Sequence, residues 1–295
     1  MFYLLPMIFS TKSKTFLVGE YAVLFGGGAV VLTTDPEFKL TVEHSDCTFL
    51  VGINERSPAF SFFLNHVDVF RNLRISFIDP HNGTGGFGAS SAQYVLLHQL
   101  YRKLTDTVWN FDSFLAEYRS YCGQSVGPSG ADCIAQQENR HIYFKGTSNS
   151  IEHMDWNFRD LDFIIFKTGL KVETHTHLQQ LPSIDVSSLN VIVENVRDSF
   201  IRNDSDMLIK NVMDFFCSLD KMGLVTDRTC SLVNQLLKTK EILAAKGCGA
   251  MAADTIIVIF AKKDREKILK VLERFSFWPN PNQLQKPVDL LWPQD

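Results

Sequence analysis

The sequence lacks the features that mark secreted, membrane-spanning or nucleic-acid-binding proteins. Its 295 residues include six cysteines, none in a CxxC pair, so we predict reduced core thiols and a cytoplasmic location. No apolar run reaches about 18 residues, the length that a transmembrane helix needs. Lys and Arg total 29 against 33 Asp and Glu, with no basic block, so nucleic acid and membrane are poor candidates as partners.

The length and the order of the predicted elements favour two lobes of mixed structure. A chain of 295 residues is long for one compact core. Strands and helices follow one another without a regular β-α-β repeat, which favours the α+β class. A polar, irregular stretch at residues 146–157 indicates a boundary, so we assign the lobes to residues 1–152 and 153–295. The predicted strands are 15–18, 38–43, 48–53, 73–78, 162–167 and 254–261; the predicted helices are 90–103, 111–121, 129–137, 205–222, 264–275 and one that starts after Thr226 and carries Leu243.

Residues 83–92, GTGGFGASSA, join a glycine-rich segment to the start of a predicted helix. Glycine adopts backbone angles that other residues avoid and lets a ligand approach the main chain closely. Such a segment leaves several N–H groups unpaired at the positive end of the helix dipole, an arrangement that binds phosphate. A flexible hairpin before a capped helix is the alternative interpretation. The segment matches neither the Walker pattern, which needs a following Lys, nor the dinucleotide-binding pattern.

Two other segments carry candidate catalytic residues. Residues 14–32, KTFLVGEYAVLFGGGAVVL, predict a strand followed by a second glycine cluster. Residues 126–136, VGPSGADCIAQ, predict a turn that places Asp132 in the first turn of a helix, where the helix dipole stabilises a carboxylate. Taken alone, Asp132 has a second interpretation as a simple helix cap.

In this order, the three segments resemble the motifs of the GHMP kinases, the family of galactokinase, homoserine kinase, mevalonate kinase and phosphomevalonate kinase. Residues 14–26 resemble K-x-x-L-x-G-E-H/Y-A-V-x-x-G, residues 86–91 resemble G-L-G-S-S-A, and residues 128–132 resemble P-S-G-x-D. A fourth segment, KGCGAMAADTIIVIF from Lys246, is similar to the late glycine-rich motif. There, Met251, Ala252 and Ala253 stand where glycines are usual. The resemblance implies a two-lobed α+β fold, with a ribosomal-protein-S5-like N-terminal lobe and a ferredoxin-like C-terminal lobe.

The resemblance also implies transfer of the γ-phosphoryl group of ATP to a small acceptor, with Mg²⁺ as cofactor. Asp132 matches the catalytic aspartate, which orients or deprotonates the acceptor hydroxyl, and Lys14 matches the lysine paired with it. Ser90 matches the serine that binds Mg²⁺. The implied ATP-binding residues are Gly83, Gly85, Gly86, Gly88, Ala89, Ser90 and Ser91. The implied substrate-binding residues are Lys12, Glu20, Tyr21, Ser129, Gly130, Lys171, Thr174 and Gly249.

The sequence departs from the family pattern at three further positions. Tyr121 stands where the mevalonate kinase branch has a glutamate ligand of Mg²⁺. Ala89 replaces the first serine of the loop, and Ser13 replaces the glycine before the lysine. The resemblance therefore leaves the second metal ligand unassigned.

The acceptor is open between two members of the family. Tyr21 favours 5-phosphomevalonate, and so do Lys12 and Lys14, which share a face of the predicted strand and could meet a substrate phosphate. Residues 128–130 instead look more like a mevalonate kinase. We predict a phosphomevalonate kinase, with mevalonate kinase or another GHMP small-molecule kinase as the alternative. A GHMP-fold regulator that binds nucleotide or metabolite without turnover is the alternative from another class, and a scaffold with purely structural glycine segments is a third. The predicted partners are ATP and a small molecule, and a homodimer is left open.

Overall fold

The computed structural model describes residues 6–122, 128–168, 185–249, 252 and 254–275. Within these residues the chain forms two β-sheets and eight α-helices, which confirms the predicted α+β class. The strands are β1 (Met7–Val18), β2 (Gly28–His44), β3 (Phe49–Val51), β4 (Leu73–Ile78), β5 (His141–Lys145), β6 (Ser150–Met154), β7 (Leu161–Lys167), β8 (Ile242–Cys248) and β9 (Thr255–Ala261). The helices are α1 (Pro58–Asn65), α2 (Ala89–Thr105), α3 (Phe111–Ser120), α4 (Ala131–Glu138), α5 (Ser187–Arg202), α6 (Ser205–Lys221), α7 (Asp227–Leu236) and α8 (Arg265–Phe275).

The long strand β2 organises the first sheet, whose order is β3-β4-β2-β5-β6. Its N-terminal part pairs with β5 and its C-terminal part pairs with β4. Strand β1 lies outside this path and runs antiparallel along β2, with Lys14 opposite Thr33. The strand that carries Lys14 is therefore held along most of its length by the strand at the centre of the sheet.

Helices α2 and α4 pack against each other and against β1. Both present a buried apolar face, which includes Tyr94 and Leu97 on α2 and Ile134 on α4. Their shared contact with β1 brings two N-termini to one region of the fold. One follows the glycine-rich segment, and the other carries Asp132.

The second sheet is antiparallel in the order β7-β9-β8. Its central strand β9, TIIVIFA, is buried at six of its seven positions, as expected for a strand with both faces covered. Helices α6 and α7 pack against β8, and β1 of the first sheet also contacts β8 and α6. Strand β1 thus lies at the contact between the two sheets.

Two predicted elements are wrong. The stretch at residues 146–157 is not irregular, because it contains β6, which forms a hairpin with β5 through a turn where Asn149 has φ 47°. The helix that begins after Thr226 ends at Leu236, and Leu243 lies in β8. The reason is that β8, ILAAKGC, has the composition of a helix except at Gly247, so its pairing with β9 decides its structure.

The cysteines are all free, but the prediction of core thiols holds for only two of them. Cys133 and Cys248 are buried, whereas Cys47 and Cys217 are exposed. None of the helices in the described part of the chain has the length and apolar character needed to cross a membrane.

Candidate active site

The glycine-rich segment follows β4 and is fixed at its entrance by Asp79. One carboxylate oxygen of Asp79 accepts a hydrogen bond from the N–H of His81 at 2.8 Å, and the other accepts from the N–H of Gly83 at 2.8 Å. Gly83 has φ 76°, in the left-handed region that favours glycine. The carboxylate therefore sets the direction in which the chain enters the segment.

Gly86 and Gly88 are required by close packing as well as by backbone angle. Their φ values are 94° and 89°. A Cβ on Gly86 would lie 2.5 Å from the side chain of Thr255, and a Cβ on Gly88 would lie 2.7 Å from Cγ of Lys14. The segment is thus held between β1 of the first sheet and the start of β9 in the second.

Helix α2 begins directly after Gly88, and no side chain caps its N-terminus. The buried hydroxyl of Ser91 donates to the carbonyl of Gly88 at 3.0 Å, whereas Ser90 is exposed and Ala89 is half-buried. A 17-residue helix without a side-chain cap presents its first N–H groups and the positive end of its dipole to any ligand at this end. This arrangement suits an anion such as a phosphate.

Lys14 on β1 lies alongside this helix start. Its backbone N–H donates to the carbonyl of Phe87 at 2.9 Å, and its side-chain carbons pass close to Gly88. Its ammonium nitrogen is 5.0 Å from the centre of the Phe16 ring. The structure therefore places the predicted catalytic lysine beside the glycine-rich segment.

Asp132 lies in the first turn of α4, after Gly130, whose φ is 79°. Burial raises the pKa of the neighbouring Cys133 thiol, the charge of Asp132 raises it further, and the ammonium of Lys14 opposes the rise. Burial, followed by the charge of Asp132, also raises the pKa of Cys122 to about 11. Lys14 and Asp132 thus both act electrostatically on one buried thiol, that of Cys133 beside Asp132 on α4.

Gln136 ties the helix of Asp132 to β1 and to the glycine-rich segment, and no sequence motif marks this residue. Its Nε2 donates to the carbonyl of Lys12 at 2.9 Å and to the carbonyl of Gly88 at 3.2 Å. The backbone carbonyl of Gln136 accepts a hydrogen bond from the hydroxyl of Thr11 at 2.6 Å. Since Gln136 follows Asp132 by one helical turn, these bonds attach the helix that carries Asp132 to β1 and to the glycine-rich segment.

The fourth segment meets the glycine-rich segment at Asp254. A Cβ on Gly86 would lie 2.9 Å from Cβ of Asp254, and a Cβ on Gly249 would lie 2.6 Å from its carboxylate oxygen. Ala252, which stands where the motif that this segment resembles has glycine, has φ 51°. The backbone therefore keeps a left-handed conformation at Ala252, at an energetic cost that glycine would avoid.

A buried ion pair joins the first segment to the fourth. The ammonium of Lys246 on β8 contacts the carboxylate of Glu20, and the two side chains are 0% and 9% exposed. Lys246 also donates to the carbonyl of Gly247 at 2.8 Å. Burial raises the pKa of Glu20, and the nearby ammonium groups of Lys246 and Lys14 oppose this rise. The structure thus places the side chain of Glu20 against β8 of the second sheet, with one carboxylate oxygen on Lys246.

The remaining residues that the resemblance assigns to substrate binding differ in burial and in location. Lys12 is half-buried on β1, and Tyr21 is 3% exposed at the start of a short 3-10 helix. The hydroxyl of Ser129 accepts from the N–H of Ala131 at 3.3 Å, which supports the start of α4. Lys171 and Thr174 lie outside the described residues.

Lys167 is a cation near the glycine-rich segment that the sequence analysis did not select. It is the last residue of β7, and its ammonium lies 3.4 Å from the carbonyl of His81 and 5.7 Å from the centre of the Phe87 ring. No motif indicated it, because only the packing of the second sheet against the segment brings it there.

Comparison with known proteins gives matches among solved structures alone. No protein-family model matches the chain, and no curated protein sequence matches it. The structure of a mevalonate kinase from Methanococcus jannaschii is similar over 99% of both chains, with a TM-score of 0.74 and 14% identity. The chain has the GHMP kinase fold. A Streptococcus pneumoniae phosphomevalonate kinase in complex with phosphomevalonate and AMPPNP matches this fold over 92% of the chain and 96% of its own, with a TM-score of 0.73 and 16% identity.

The GHMP kinase fold also extends to a neighbour of different specificity. A Lactococcus lactis galactokinase complexed with galactose is similar over 98% of the chain and 93% of its own, with a TM-score of 0.74 and 11% identity. The fold predicted from the ordered motifs is thereby confirmed.

Proposed function

We propose that the chain is an ATP-dependent small-molecule kinase. One observation carries the proposal. The uncapped start of α2 after Gly88, the side chain of Lys14 and the helix of Asp132 are held together, the last through the bond from Gln136 to Gly88. A phosphate site, an ammonium and a carboxylate in one place are what phosphoryl transfer requires. The kinases among the structural neighbours support the same reading.

Each of these residues has a separate role in phosphoryl transfer. The N–H groups of the glycine-rich segment and of the first turn of α2 hold the phosphates of ATP. Asp132, in the first turn of α4, accepts the proton of the acceptor hydroxyl or orients it. Lys14 offsets the negative charge that builds on the transferred group.

Magnesium fits this site as an ion held largely by the nucleotide. The described residues contain no cluster of three or more His, Cys, Asp or Glu side chains that would hold a metal by themselves. Mg²⁺ commonly binds through one or two protein oxygens together with phosphates and waters. The exposed hydroxyl of Ser90, in the first turn of α2, is the protein ligand that we assign to it. Bound there, the ion would neutralise phosphate charge.

For the acceptor we propose 5-phosphomevalonate, with mevalonate as the alternative. Lys12 and Lys14 lie two residues apart on β1 and supply positive charge for an acceptor phosphate. One structural neighbour is a phosphomevalonate kinase in complex with phosphomevalonate, which supports the choice of this acceptor. The cytoplasmic location and the lobe boundary at residue 152 stay predictions.

A regulator that binds nucleotide without turnover is the competing proposal. Two observations favour it, namely Tyr121 at the position of the metal-binding glutamate and the left-handed Ala252 in the fourth segment. The presence of Lys14 beside Gly88, and of Asp132 on the helix that Gln136 ties to Gly88, favours catalysis, because binding alone needs neither.

An ADP-release assay separates these proposals. Purified protein with ATP and Mg²⁺ is offered mevalonate, 5-phosphomevalonate, galactose and homoserine in turn. We expect release with 5-phosphomevalonate and little with the neutral sugar. Nucleotide binding without release for any acceptor would support the regulator, and absence of nucleotide binding would contradict both.

A further inference from the structure

Arg119, near the end of α3, holds the turn that precedes α4. Its Nε donates to the carbonyl of Pro128 at 3.3 Å, and one Nη donates to the carbonyl of Ser129 at 2.7 Å. The same Nη donates to the side-chain oxygen of Asn149 at 3.4 Å, in the hairpin between β5 and β6. Among the described residues, these three neutral oxygens are its partners.

The rest of the α3 face also packs on this turn. A Cβ on Gly130 would lie 2.1 Å from Cδ1 of Leu115 and 3.7 Å from the ring of Tyr118. Leu115, Tyr118 and Arg119 are spaced by three and four residues, so they share one face of the helix. Burial lowers the pKa of Arg119, but a guanidinium stays charged in proteins, and its bonds to carbonyls are correspondingly strong.

Asp132 lies two residues beyond the turn that Arg119 holds. Its carboxylate charge reaches Tyr118 and Cys122, which lie one residue before and three residues after Arg119 along the chain. The opposite end of α4 is attached independently through Gln136. Loss of Arg119 therefore frees the first turn of α4 and leaves the rest of the helix in place.

We propose that Arg119 is a positioning residue, which sets the direction of the Asp132 carboxylate by holding the carbonyls of Pro128 and Ser129. This inference rests on the proposed kinase function for the role of Asp132, but the contacts themselves do not. The guanidinium is suited to this task because its planar fork fixes two successive carbonyls at once.

The first test does not depend on activity. Cys133 lies beside Asp132 and is buried, and Cys248, buried in the second sheet, serves as the internal control. In Arg119→Ala we expect labelling of Cys133 by a thiol reagent, measured by mass spectrometry, to become about tenfold faster or more, since the first turn opens more often. Labelling of Cys248 should not change, and Arg119→Lys should restore part of the protection. Equal rates at Cys133 in wild type and variant would overturn the proposal, as would faster labelling of both cysteines, which would indicate general destabilisation.

The second test uses the kinase reaction. Arg119→Ala should lower kcat by about 100-fold, the effect of a small misplacement of a catalytic group, with KM for ATP unchanged. In an Asp132→Asn background the same change should alter kcat by less than about threefold, because the group that it positions is already gone. Additive effects would contradict a role through Asp132.

Arg140, an exposed arginine away from the turn before α4, offers a matched control. Arg140→Ala removes an exposed arginine that pairs with Asp155 at 3.0 Å, and it should change neither labelling nor kcat. A wild-type protein without any turnover would remove the proposed function, while the labelling experiment would still decide whether Arg119 holds the turn.

Discussion

The buried pair of Glu20 and Lys246 predicts a large and asymmetric response to substitution. Lys246→Met keeps an unbranched side chain but leaves the carboxylate of Glu20, which is 9% exposed, without its counter-charge. Removing one partner of a buried ion pair costs about 3–5 kcal/mol of unfolding free energy. Replacing both, in Glu20→Leu with Lys246→Met, should recover most of that loss, because no uncompensated charge remains.

Urea unfolding at two pH values is the assay. Burial raises the pKa of Glu20, and an acid whose pKa is raised by folding costs stability as the pH rises through that pKa. The loss caused by Lys246→Met should therefore be larger at pH 8 than near pH 5, where protonation begins to remove the buried charge.

The control is an exposed pair of the same charge types. Lys210 and Asp214 on α6 are 72% and 45% exposed, so Lys210→Met should cost less than about 1 kcal/mol. Equal losses for Lys246→Met and Lys210→Met would refute the reasoning, and so would a double variant that is as unstable as Lys246→Met alone.

Three further predictions concern the glycine-rich segment, the metal and the pH dependence of stability. Gly86→Ala should weaken ATP binding in a calorimetric titration, because the added Cβ would meet the side chain of Thr255 at 2.5 Å. Gly223→Ala is the control, since Gly223 has φ 70° but no neighbour within 4 Å, and it should leave ATP binding unchanged. Equal ATP affinities for the wild type and both variants would contradict the assignment of Gly86 to the ATP site. Ser90→Ala should raise the Mg²⁺ concentration needed for half-maximal turnover, and an unchanged metal titration would exclude Ser90 as a ligand. Burial lowers the pKa of His98 from 6.5 to about 4, so the folded state loses about 3 kcal/mol relative to the unfolded state as the pH falls through this window. In acid unfolding, the stability of His98→Gln should therefore decline less steeply with falling pH than that of the wild type. An identical pH dependence of stability in the two proteins would contradict the lowered pKa.

The elements with strong local patterns could be predicted from the sequence. Strand β4 was placed at its observed bounds, 73–78, since it is rich in β-branched and aromatic residues and lies between polar flanks. Helix α7 was predicted to start after Thr226, whose side chain does accept from the N–H of Thr229. These patterns act within a few residues and need no tertiary contact.

The missed elements differ in how much the sequence revealed. Helix α1 carried a readable signal, because Ser57 caps it and Pro58 occupies its first position. Helix α5 also has apolar residues at helical spacing, such as Leu189, Val193 and Val196. Strand β8 had no such signal, because its alanines and lysine favour a helix and only β9 makes it a strand.

The residues of the candidate site also divide into those that a local sequence pattern marks and those that it does not. Ordered motifs selected Lys14, Asp132 and the glycines, since these residue types and spacings are specific. Gln136 and Lys167 escaped selection because each acts through a partner far away in the sequence, and Arg119 because it acts on a turn outside its own helix. A glutamine on a helix or a lysine at the end of a strand has no local property that distinguishes it from a solvated residue.

The central claim is that Asp132 works on a substrate beside a phosphate held at Gly88, and one comparison tests it most directly. ATP affinity and the rate of phosphoryl transfer are measured for Asp132→Asn and for Asp112→Asn, which alters the corresponding first turn of α3. We predict that Asp132→Asn keeps ATP affinity within about twofold and loses turnover by about 10²–10⁴-fold, while Asp112→Asn changes neither. An Asp132→Asn protein that retains the wild-type rate would contradict the account.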